Sequence, residues 1–453
     1  MRVLLWHGYL LSGSGSNVYT ANLARVWRDQ GHDVMIVCQD RSASALPFVD
    51  ADADFPESNA AISLLEPDDD LQGGRCHVVR PHIGELLPVY VFDEYEGFTV
   101  KRFVDLTDDE LTRYTSLNVD AMTSAIETFR PHAIVTGHEV MGPYIARSAG
   151  ERTGTTYVAK LHGSALEYAV KVQERYRRFA TEGLSGAKFV VGGSHYMVGE
   201  ASSVIPGWAD KARVVNPGCD VDMFKAAPGH RNEPAVIGFV GKLIASKGVH
   251  HLLAALGLVT TPARCVVVGY GGFEVGLRAL AGALGDGDRR RALEIAEEGE
   301  GSPLHDLTAF LRNAPESYFA RAAEVDVEFT GRLEHGPLSR LLPSFDVLVV
   351  PSVVPEAFGM VAAEAAACGV LPVVPGHSGI GEIGAAIETE LGRQGLLTYD
   401  PTDPIAGLAA RVDELLALDA EERSEMEGIA VRLARARWSW KVVAERLLDL
   451  ATA

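Results

Sequence analysis

Two glutamates, Glu356 and Glu364, are eight positions apart in a stretch that is otherwise apolar. Their neighbours between residues 347 and 375 are mostly Ala, Val, Met and Gly, an unusual setting for ordinary surface charges. Phe358, Gly359 and Met360 open a predicted helix there, and N–H groups at a helix N-terminus can receive an anion. Glu364 is expected about two turns into this helix, so the pitch predicts ~12 Å between the two glutamates along the axis. A core helix whose glutamates reach solvent is the alternative interpretation.

The elements that position these glutamates are a strand, a proline-rich loop, a small-residue helix and a second strand. Residues 347–350 and 370–374 are short runs of Val and Leu, typical of buried parallel strands. The stretch is therefore predicted to be one β-loop-α-β unit with Glu356 in the loop.

A lysine pair is the second chemical feature. The chain has nine lysines, and Lys242 and Lys247 fall in one loop after a predicted strand at residues 236–241. Two ammonium groups five positions apart after a strand can converge on a diphosphate as point charges. A surface charge pair is the plainer alternative.

The first half of the chain predicts another parallel sheet. A strand at residues 2–6 is followed by a Gly/Ser loop, a helix at 17–30 and a strand at 34–38. Gly13 and Gly15 form a G-x-G whose third glycine position is Val18, so a dinucleotide fingerprint is incomplete, although Asp40 could hold a ribose. An NAD-dependent dehydrogenase stays open on this basis. Asn17 is either a ligand contact or a helix N-cap.

Two histidines are predicted at strand ends in this half. His138 follows a strand at residues 133–135, and His162 follows one at 157–161. Polar residues just beyond the carboxyl end of a parallel strand are where such sheets bind ligands.

The composition limits the class of protein. With 453 residues the chain is long enough for two or three domains. A net charge of −20 argues against a nucleic-acid partner, while peripheral membrane contact stays open. Five scattered cysteines without a C-x-x-C pair suit a reducing cytoplasm, and no apolar run predicts a transmembrane helix or signal peptide. The acidic segment 50–70 reads as a loop, and its Asp triplet at 68–70 is not placed for a catalytic metal.

Three ordered strings carry a resemblance to a known family. From Pro351 the chain reads P-S-x-x-P-E-A-F-G-M-x-x-x-E-A-x-A-x-G, preceded by G-K-L-x-x-x-K-G from Gly241 and T-G-R-L from Thr330. These strings resemble the nucleotide-sugar motifs of retaining glycosyltransferases with the GT-B fold, the large family four (group 1) that includes sucrose synthase and mycothiol-pathway enzymes. Lys242 stands where arginine is commoner in that family.

The resemblance implies the architecture. It predicts an α/β protein of two Rossmann-like, doubly wound domains that face each other across a cleft. The N-terminal, acceptor-side domain is expected at residues 1–222, joined by a C-terminal helix at 438–453 that crosses back to it. The nucleotide-sugar domain is expected at 223–437. Segments 41–100 and 276–315 are insertions to which the sequence assigns no role.

The resemblance also implies the chemistry, which is metal-independent, retaining transfer of a sugar from a UDP- or GDP-sugar to a hydroxyl of a small-molecule or glycan acceptor, with no cofactor. The implied catalytic residues are His162, Lys242, Lys247 and Glu356. The implied donor-binding residues are Gly15, Arg332, Leu333, Phe358, Gly359, Met360 and Glu364, and the implied acceptor-binding residues are Asn17 and His138. Sugar-nucleotide epimerisation on the same fold and a non-catalytic sugar-nucleotide binder are the alternatives; a retaining glycosidase, which needs carboxylates about 5 Å apart, is disfavoured. The sequence does not specify the donor base, the sugar, the acceptor or the oligomeric state.

Overall fold

The structure is a computed structural model that describes residues 1–59, 74–226 and 232–453. It divides into two compact units, the first comprising Met1–Pro217 and Trp440–Ala453 and the second Gly218–Ser439. The sequence-based division was 1–222 with 438–453, and 223–437. The predicted Asp triplet at 68–70 lies outside the described residues.

The first unit is built on an eight-stranded parallel sheet with the order β10-β9-β8-β7-β1-β2-β4-β3. A separate parallel pair, β5 and β6, lies outside that sheet. The strands of this unit are β1 (Arg2–Trp6), β2 (Asp33–Val37), β3 (Ala51–Asp54), β4 (Cys76–Arg80), β5 (Leu86–Val89), β6 (Thr99–Arg102), β7 (Ala133–Gly137), β8 (Val158–Lys160), β9 (Phe189–Gly192) and β10 (Ala212–Val214).

The described residues of this unit form six α-helices: α1 (Gly15–Asp29), α2 (Asp108–Phe129), α3 (Gly142–Thr153), α4 (Glu174–Gly186), α5 (His195–Val204) and α16 (Trp440–Thr452). The C-terminal α16 packs on α1, where the Trp27 indole N–H donates to the carbonyl oxygen of Ala444 at 3.0 Å. Trp27, Val443 and Leu447 are fully buried in the same core as the strand residue Val3, which holds α16 to this unit.

The second unit has a six-stranded parallel sheet in the order β13-β12-β11-β14-β15-β16. Counted within the unit this order is 3-2-1-4-5-6, which is the order of dinucleotide-binding sheets. The direction in which successive strands are added to the sheet reverses between the first and fourth strands. The strands are β11 (Ala235–Val240), β12 (Ala263–Val268), β13 (Val327–Gly331), β14 (Val347–Val349), β15 (Leu371–Pro375) and β16 (Thr398–Tyr399).

In the part of this unit that the structure describes there are ten α-helices: α6 (Val249–Leu256), α7 (Glu274–Gly285), α8 (Arg289–Glu298), α9 (His305–Asn313), α10 (Glu316–Ala322), α11 (His335–Leu341), α12 (Met360–Ala367), α13 (Ser378–Leu391), α14 (Pro404–Leu416) and α15 (Ala420–Leu433). The predicted insertion at 276–315 is largely helical. Ala292, Ile295 and Ala296 of α8 are buried in the core of the unit, so the insertion is anchored to it.

Three predictions of local structure were wrong. The first helix begins at Gly15 because the Ser14 side chain accepts from the backbone N–H of Asn17, so Ser14 is the N-cap and Asn17 is not. The C-terminal helix predicted at 438–453 begins at Trp440 instead, because Ser439 before it is extended (φ −67°, ψ 139°). Within the predicted loop at 50–70, Ala51–Asp54 is the edge strand β3.

Candidate functional site

The two loops at the direction reversal of the second sheet pack directly on each other. One loop, residues 241–248, follows β11, and the other, residues 350–359, follows the neighbouring strand β14. The backbone N–H of Val353 donates to Ser246 O at 3.0 Å. Gly248 has φ +71°, and a Cβ there would lie 1.8 Å from Pro351 O, so only glycine permits this approach. Ligands of open parallel sheets bind where such loops meet.

Lys247 and Glu356 form an ion pair at this point. The Lys247 Nζ lies 2.8 Å from Glu356 Oε1, with 31% and 18% of the two side chains exposed. The Ser352 hydroxyl donates to the same carboxylate oxygen, and the Glu356 backbone N–H donates to Ser378 Oγ at 3.0 Å. Two residues that the sequence assigned separately are thus brought into contact, with Glu356 in the loop as predicted.

The N-terminus of α12 follows Glu356. Gly359 is its N-cap with φ +137°, and a Cβ there would lie 2.1 Å from Ile380 Cδ1. Among the described residues, the backbone N–H groups of Phe358, Gly359 and Met360 have no hydrogen-bond acceptor. The Phe358 side chain is buried against Trp438 with ring centroids 6.2 Å apart, so only its backbone is available to a ligand. This helix end can receive an anion.

Glu364 is the fifth residue of α12, just over one turn from its start rather than the predicted two turns. Burial raises the pKa of its carboxyl from 4.5 to about 8, and the nearby charge of Asp220 adds to the shift. A carboxyl in this state is largely protonated at neutral pH. It becomes a better hydrogen-bond acceptor when a ligand that donates to it makes ionisation favourable.

The other predicted donor residues of this unit are more exposed. Arg332 is 60% exposed, pairs with Glu334 at 2.9 Å, and holds its guanidinium 5.2 Å from the centre of the Tyr270 ring. Leu333 is half-buried against the core. Lys242 is exposed and has no hydrogen bond or ion pair with any residue that the structure describes. The structure therefore joins Lys247 to Glu356 but does not join Lys242 to either.

The first unit has a corresponding reversal between β1 and β7, and His7 lies there. Its Nε2 is 2.8 Å from Asn17 Oδ1 and its Nδ1 is 3.1 Å from Thr20 Oγ1. Burial lowers the pKa of His7 to about 4, so the ring is neutral, donating from one nitrogen and accepting at the other. Its ring stacks on His138 with centroids 5.8 Å apart. His7 thus links two predicted acceptor residues, Asn17 and His138.

His138 is the centre of an aromatic cluster. Its ring centroid is 4.9 Å from that of His162, 4.9 Å from Tyr90 and 5.3 Å from Tyr9. Its φ is +71°, and its Nε2 is buried without a partner among the described residues. Burial lowers the pKa of both His138 and His162 well below the ordinary value, so neutral imidazoles face one another. A buried, unpaired ring nitrogen can bind a hydroxyl group.

Glu139 and Lys160 flank this cluster. Glu139 Oε1 accepts from the backbone N–H groups of His162 at 3.1 Å and Gly163 at 2.8 Å, which fixes the backbone that carries the His162 ring. Burial raises the pKa of Glu139 and lowers that of Lys160 to about 7. The Lys160 ammonium group donates to Val215 O at 3.0 Å. Gly15, in contrast, is exposed at the first position of α1.

The structure argues against the dinucleotide-binding interpretation, because the Asp40 carboxylate that would bind a ribose is already hydrogen-bonded within the protein. Asp40 Oδ2 accepts from the backbone N–H of Leu11 at 2.8 Å, and its Oδ1 accepts from both the N–H and the hydroxyl of Ser42 at 2.8 Å. Both oxygens are thus used to hold the loop itself.

Two family models match the chain, a glycosyl transferase 4-like domain over residues 14–218 and glycosyl transferases group 1 over residues 313–430. The chain belongs to the group 1 glycosyltransferases. The second match includes β14, α12 and the two glutamates, and the first includes α1, His138 and His162. Two Rossmann-like units and family membership together make the fold GT-B.

Relatives and a solved structure agree with this assignment. The D-inositol 3-phosphate glycosyltransferase of Corynebacterium urealyticum is 32% identical over 266 residues, 55% of this chain and 54% of that protein, so the chain spans about half the length of this curated relative. A second one, from Catenulispora acidiphila, is 26% identical over 460 residues, 96% of this chain and 89% of that protein. The crystal structure of Anabaena HepE in complex with UDP superposes with a TM-score of 0.61 at 17% identity, covering 99% of both chains, which supports the fold.

No group of three or more His, Cys, Asp or Glu in the described ranges is placed to hold a metal ion, and metal independence stays a prediction. Within the same ranges, no helix combines the length and apolar composition needed to cross a bilayer.

The sequence-based prediction missed several residues that shape these sites, among them His7, Ser352 and Ser378. His7 directly follows a buried strand, which is the signal that identified His138 and His162, and it could have been found in the same way. The serines carry no such signal, because their contacts depend on loops distant in sequence.

Proposed function

We propose that this protein transfers a sugar from a nucleoside diphosphate sugar to an acceptor hydroxyl, with retention of configuration and without a metal ion. The observation that carries the proposal is the Lys247–Glu356 contact of 2.8 Å, at the reversal of a 3-2-1-4-5-6 sheet and beside the start of α12. A cation, a carboxylate and unpaired N–H groups at one place match the needs of a sugar linked to a diphosphate.

The leaving diphosphate gains negative charge as the glycosidic bond breaks. Lys247 and the N–H groups of Phe358, Gly359 and Met360 stabilise this charge, with exposed Lys242 closing on the phosphates. Glu356 accepts from sugar hydroxyls, and Glu364 accepts from the ribose hydroxyls. Arg332 and Leu333 contact the base.

The first unit supplies the remaining roles in this proposal. His162 orients the donor sugar, while Asn17 and His138 receive the acceptor and Gly15 lets the donor approach the backbone. The partner-free Nε2 of His138 supports a role as a hydrogen-bond acceptor for a hydroxyl.

The donor is a UDP- or GDP-sugar. HepE, a structural neighbour, was crystallised with UDP, and relatives named D-inositol 3-phosphate glycosyltransferases make a phosphorylated cyclitol the first acceptor to test. The five cysteines are unpaired and buried, which supports a cytoplasmic location.

The test compares Lys247→Ala with Lys225→Ala, an exposed lysine of the same unit that has no partner in the described structure. UDP and GDP binding is measured by calorimetry, and transfer or donor hydrolysis by release of the nucleotide. We expect Lys247→Ala to weaken nucleotide binding at least tenfold and Lys225→Ala to leave it unchanged, since one charge-assisted contact is worth about 1.5–3 kcal/mol. Equal binding by both variants contradicts the assigned donor site.

The ligand panel separates the proposal from its alternatives. Thermal stabilisation by NAD(H) but not by UDP or GDP would indicate a dehydrogenase, and turnover of a donor without any acceptor would indicate an epimerase. Nucleotide binding without turnover across an acceptor panel would indicate a binding protein.

A further inference from the structure

The helical insertion at 276–315 reaches the loop that carries Lys247 through Glu300. The backbone N–H of Ala245 donates to Glu300 Oε2 at 2.7 Å, across 55 positions of sequence. The second carboxylate oxygen, Oε1, lies beside Gly272, where a Cβ would be 3.2 Å away. One side chain of the insertion thus contacts the loops after both β11 and β12.

The turn that presents Glu300 is tightly defined. It follows α8, whose Ile295 and Ala296 are buried in the core. Gly299 has φ +56°, and a Cβ there would lie 1.9 Å from Ser302 O, so the turn requires glycine. The backbone N–H of Leu304 then donates to Ala296 O at 2.8 Å, which closes the turn. Glu300 is therefore held by a rigid support although its own side chain is exposed.

The group that Glu300 binds is the first residue of the single helical turn Ala245–Lys247. A carboxylate that accepts from the N–H of such a turn satisfies an otherwise unpaired donor and stabilises the turn. Lys247 ends this turn and reaches Glu356. Glu300, Ala245, Lys247 and Glu356 therefore form one connected series of contacts.

The neighbouring glycine turn is tied to the same loop. The Leu243 N–H donates to Tyr270 O and the Phe273 N–H donates to Leu243 O, both at 2.9 Å. A Cβ on Gly269 would lie 1.9 Å from Gly241 O. These contacts fix the start of the loop at residues 241–243. Glu300 therefore acts on the following turn, Ala245–Lys247.

We propose that Glu300 is a positioning residue that preorganises Lys247 for the donor diphosphate, which gives the insertion a function in donor binding. The inference rests on the proposed function of Lys247. Without Glu300 the turn samples other conformations, and the apparent affinity falls by the fraction of molecules in the competent state. Once the donor is bound the turn is ordered again, so the chemical step is unaffected.

The test uses Glu300→Ala and Glu300→Gln, with Glu298→Ala as the matched control. Glu298 is two positions away at the end of α8, exposed, and has no hydrogen bond or ion pair with any described residue. We expect Glu300→Ala to weaken UDP-glucose or GDP-mannose binding about tenfold, because one charge-assisted hydrogen bond is lost. The kcat of donor hydrolysis should stay unchanged. Glu300→Gln keeps an oxygen that accepts from Ala245 and should remain within about threefold of wild type.

Hydrogen exchange gives a readout that does not depend on any ligand. Amides of residues 243–248 should exchange faster in Glu300→Ala than in Glu298→Ala, while the exchange of β11 stays unchanged. Equal exchange in the two variants, equal donor affinity, or a fall in kcat that matches the fall in kcat/KM would each overturn the inference. If Lys247→Ala leaves donor binding intact, the proposed function fails instead, whatever the exchange shows.

Discussion

Replacing Glu364 by Gln should change how the stability of the second unit depends on pH. Glu364 lies in α12, and burial raises the pKa of its carboxyl from 4.5 to about 8. The amide of Gln has nearly the same size and shape but cannot ionise. The substitution therefore removes one titrating group with little change in packing.

The direction of this pH dependence follows from the raised pKa of Glu364. Between pH 4.5 and 8 the native protein keeps the proton that the unfolded chain releases, so the stability contributed by this group is complete below pH 4.5 and is lost as the pH rises through 8. Each pH unit in this window costs about 1.4 kcal/mol, which makes about 3 kcal/mol at pH 7 and about 5 kcal/mol above pH 8. Glu364 retains some solvent exposure, so these values are upper limits.

The assay is native-state hydrogen exchange of the slowest amides in α12 and β15, measured for both proteins from pH 5 to pH 8.5. These amides report the opening free energy of the second unit separately from the first. The free-energy difference between Glu364→Gln and wild type should increase by up to about 1.4 kcal/mol per pH unit up to pH 8 and then level off. A difference that stays constant with pH would refute the reasoning, because it would mean that Glu364 ionises normally in the folded protein.

The same group makes donor binding depend on pH under the proposed function. If ribose hydroxyls donate to ionised Glu364, wild type should bind a UDP-sugar about fiftyfold more tightly at pH 8 than at pH 6, with one proton released on binding. A UDP-sugar suits this measurement because its diphosphate remains fully ionised throughout the range. Glu364→Gln should bind weakly and without this dependence. Calorimetry in buffers of different ionisation enthalpy counts the proton directly.

Two further predictions concern the loop glycine and the histidine cluster. An alanine in the left-handed conformation costs about 1–2 kcal/mol of stability. Gly248→Ala should destabilise the protein by more than this, because the new Cβ would also lie 1.8 Å from Pro351 O. The same substitution should weaken nucleotide binding. Gly282→Ala, within α7 and with nothing within 4 Å, should instead raise the melting temperature, and a loss there would count against the reasoning. His138→Asn tolerates the positive φ and should flatten the loss of stability below pH 6.5 by about 1.4 kcal/mol per pH unit, since the native His138 stays neutral while the unfolded one gains a proton. Urea unfolding between pH 4.5 and pH 7 tests this, and an unchanged slope would show that His138 titrates normally.

The local sequence pattern was sufficient to predict most of the strands in the cores of the two sheets. Continuous Val, Ile and Leu runs predicted β1, β7, β14 and β15 because parallel strands covered on both faces must be apolar throughout. The edge strand β3, with the sequence Ala-Asp-Ala-Asp, carries no such run. Its Asp52 and Asp54 instead pair with Arg80 of the neighbouring strand β4, at 2.5 and 2.6 Å, and this pairing is invisible until the register is known. The apolar pattern of the sequence therefore does not predict an edge strand of this kind.

The candidate site was predictable in its residues but not in its contacts. Lys247 and Glu356 were each identified from a local motif, yet 109 positions separate them and neither motif indicates a contact. The contact arises because β14 pairs with β11, although two further strands and six α-helices lie between them in sequence. That pairing is a property of the sheet order, and the close packing of the two loops also requires Gly248, because a Cβ at this position would clash with Pro351 O. The two motifs therefore act as one site only through the topology of the sheet, which is why substitution of Gly248 should disturb the function of both.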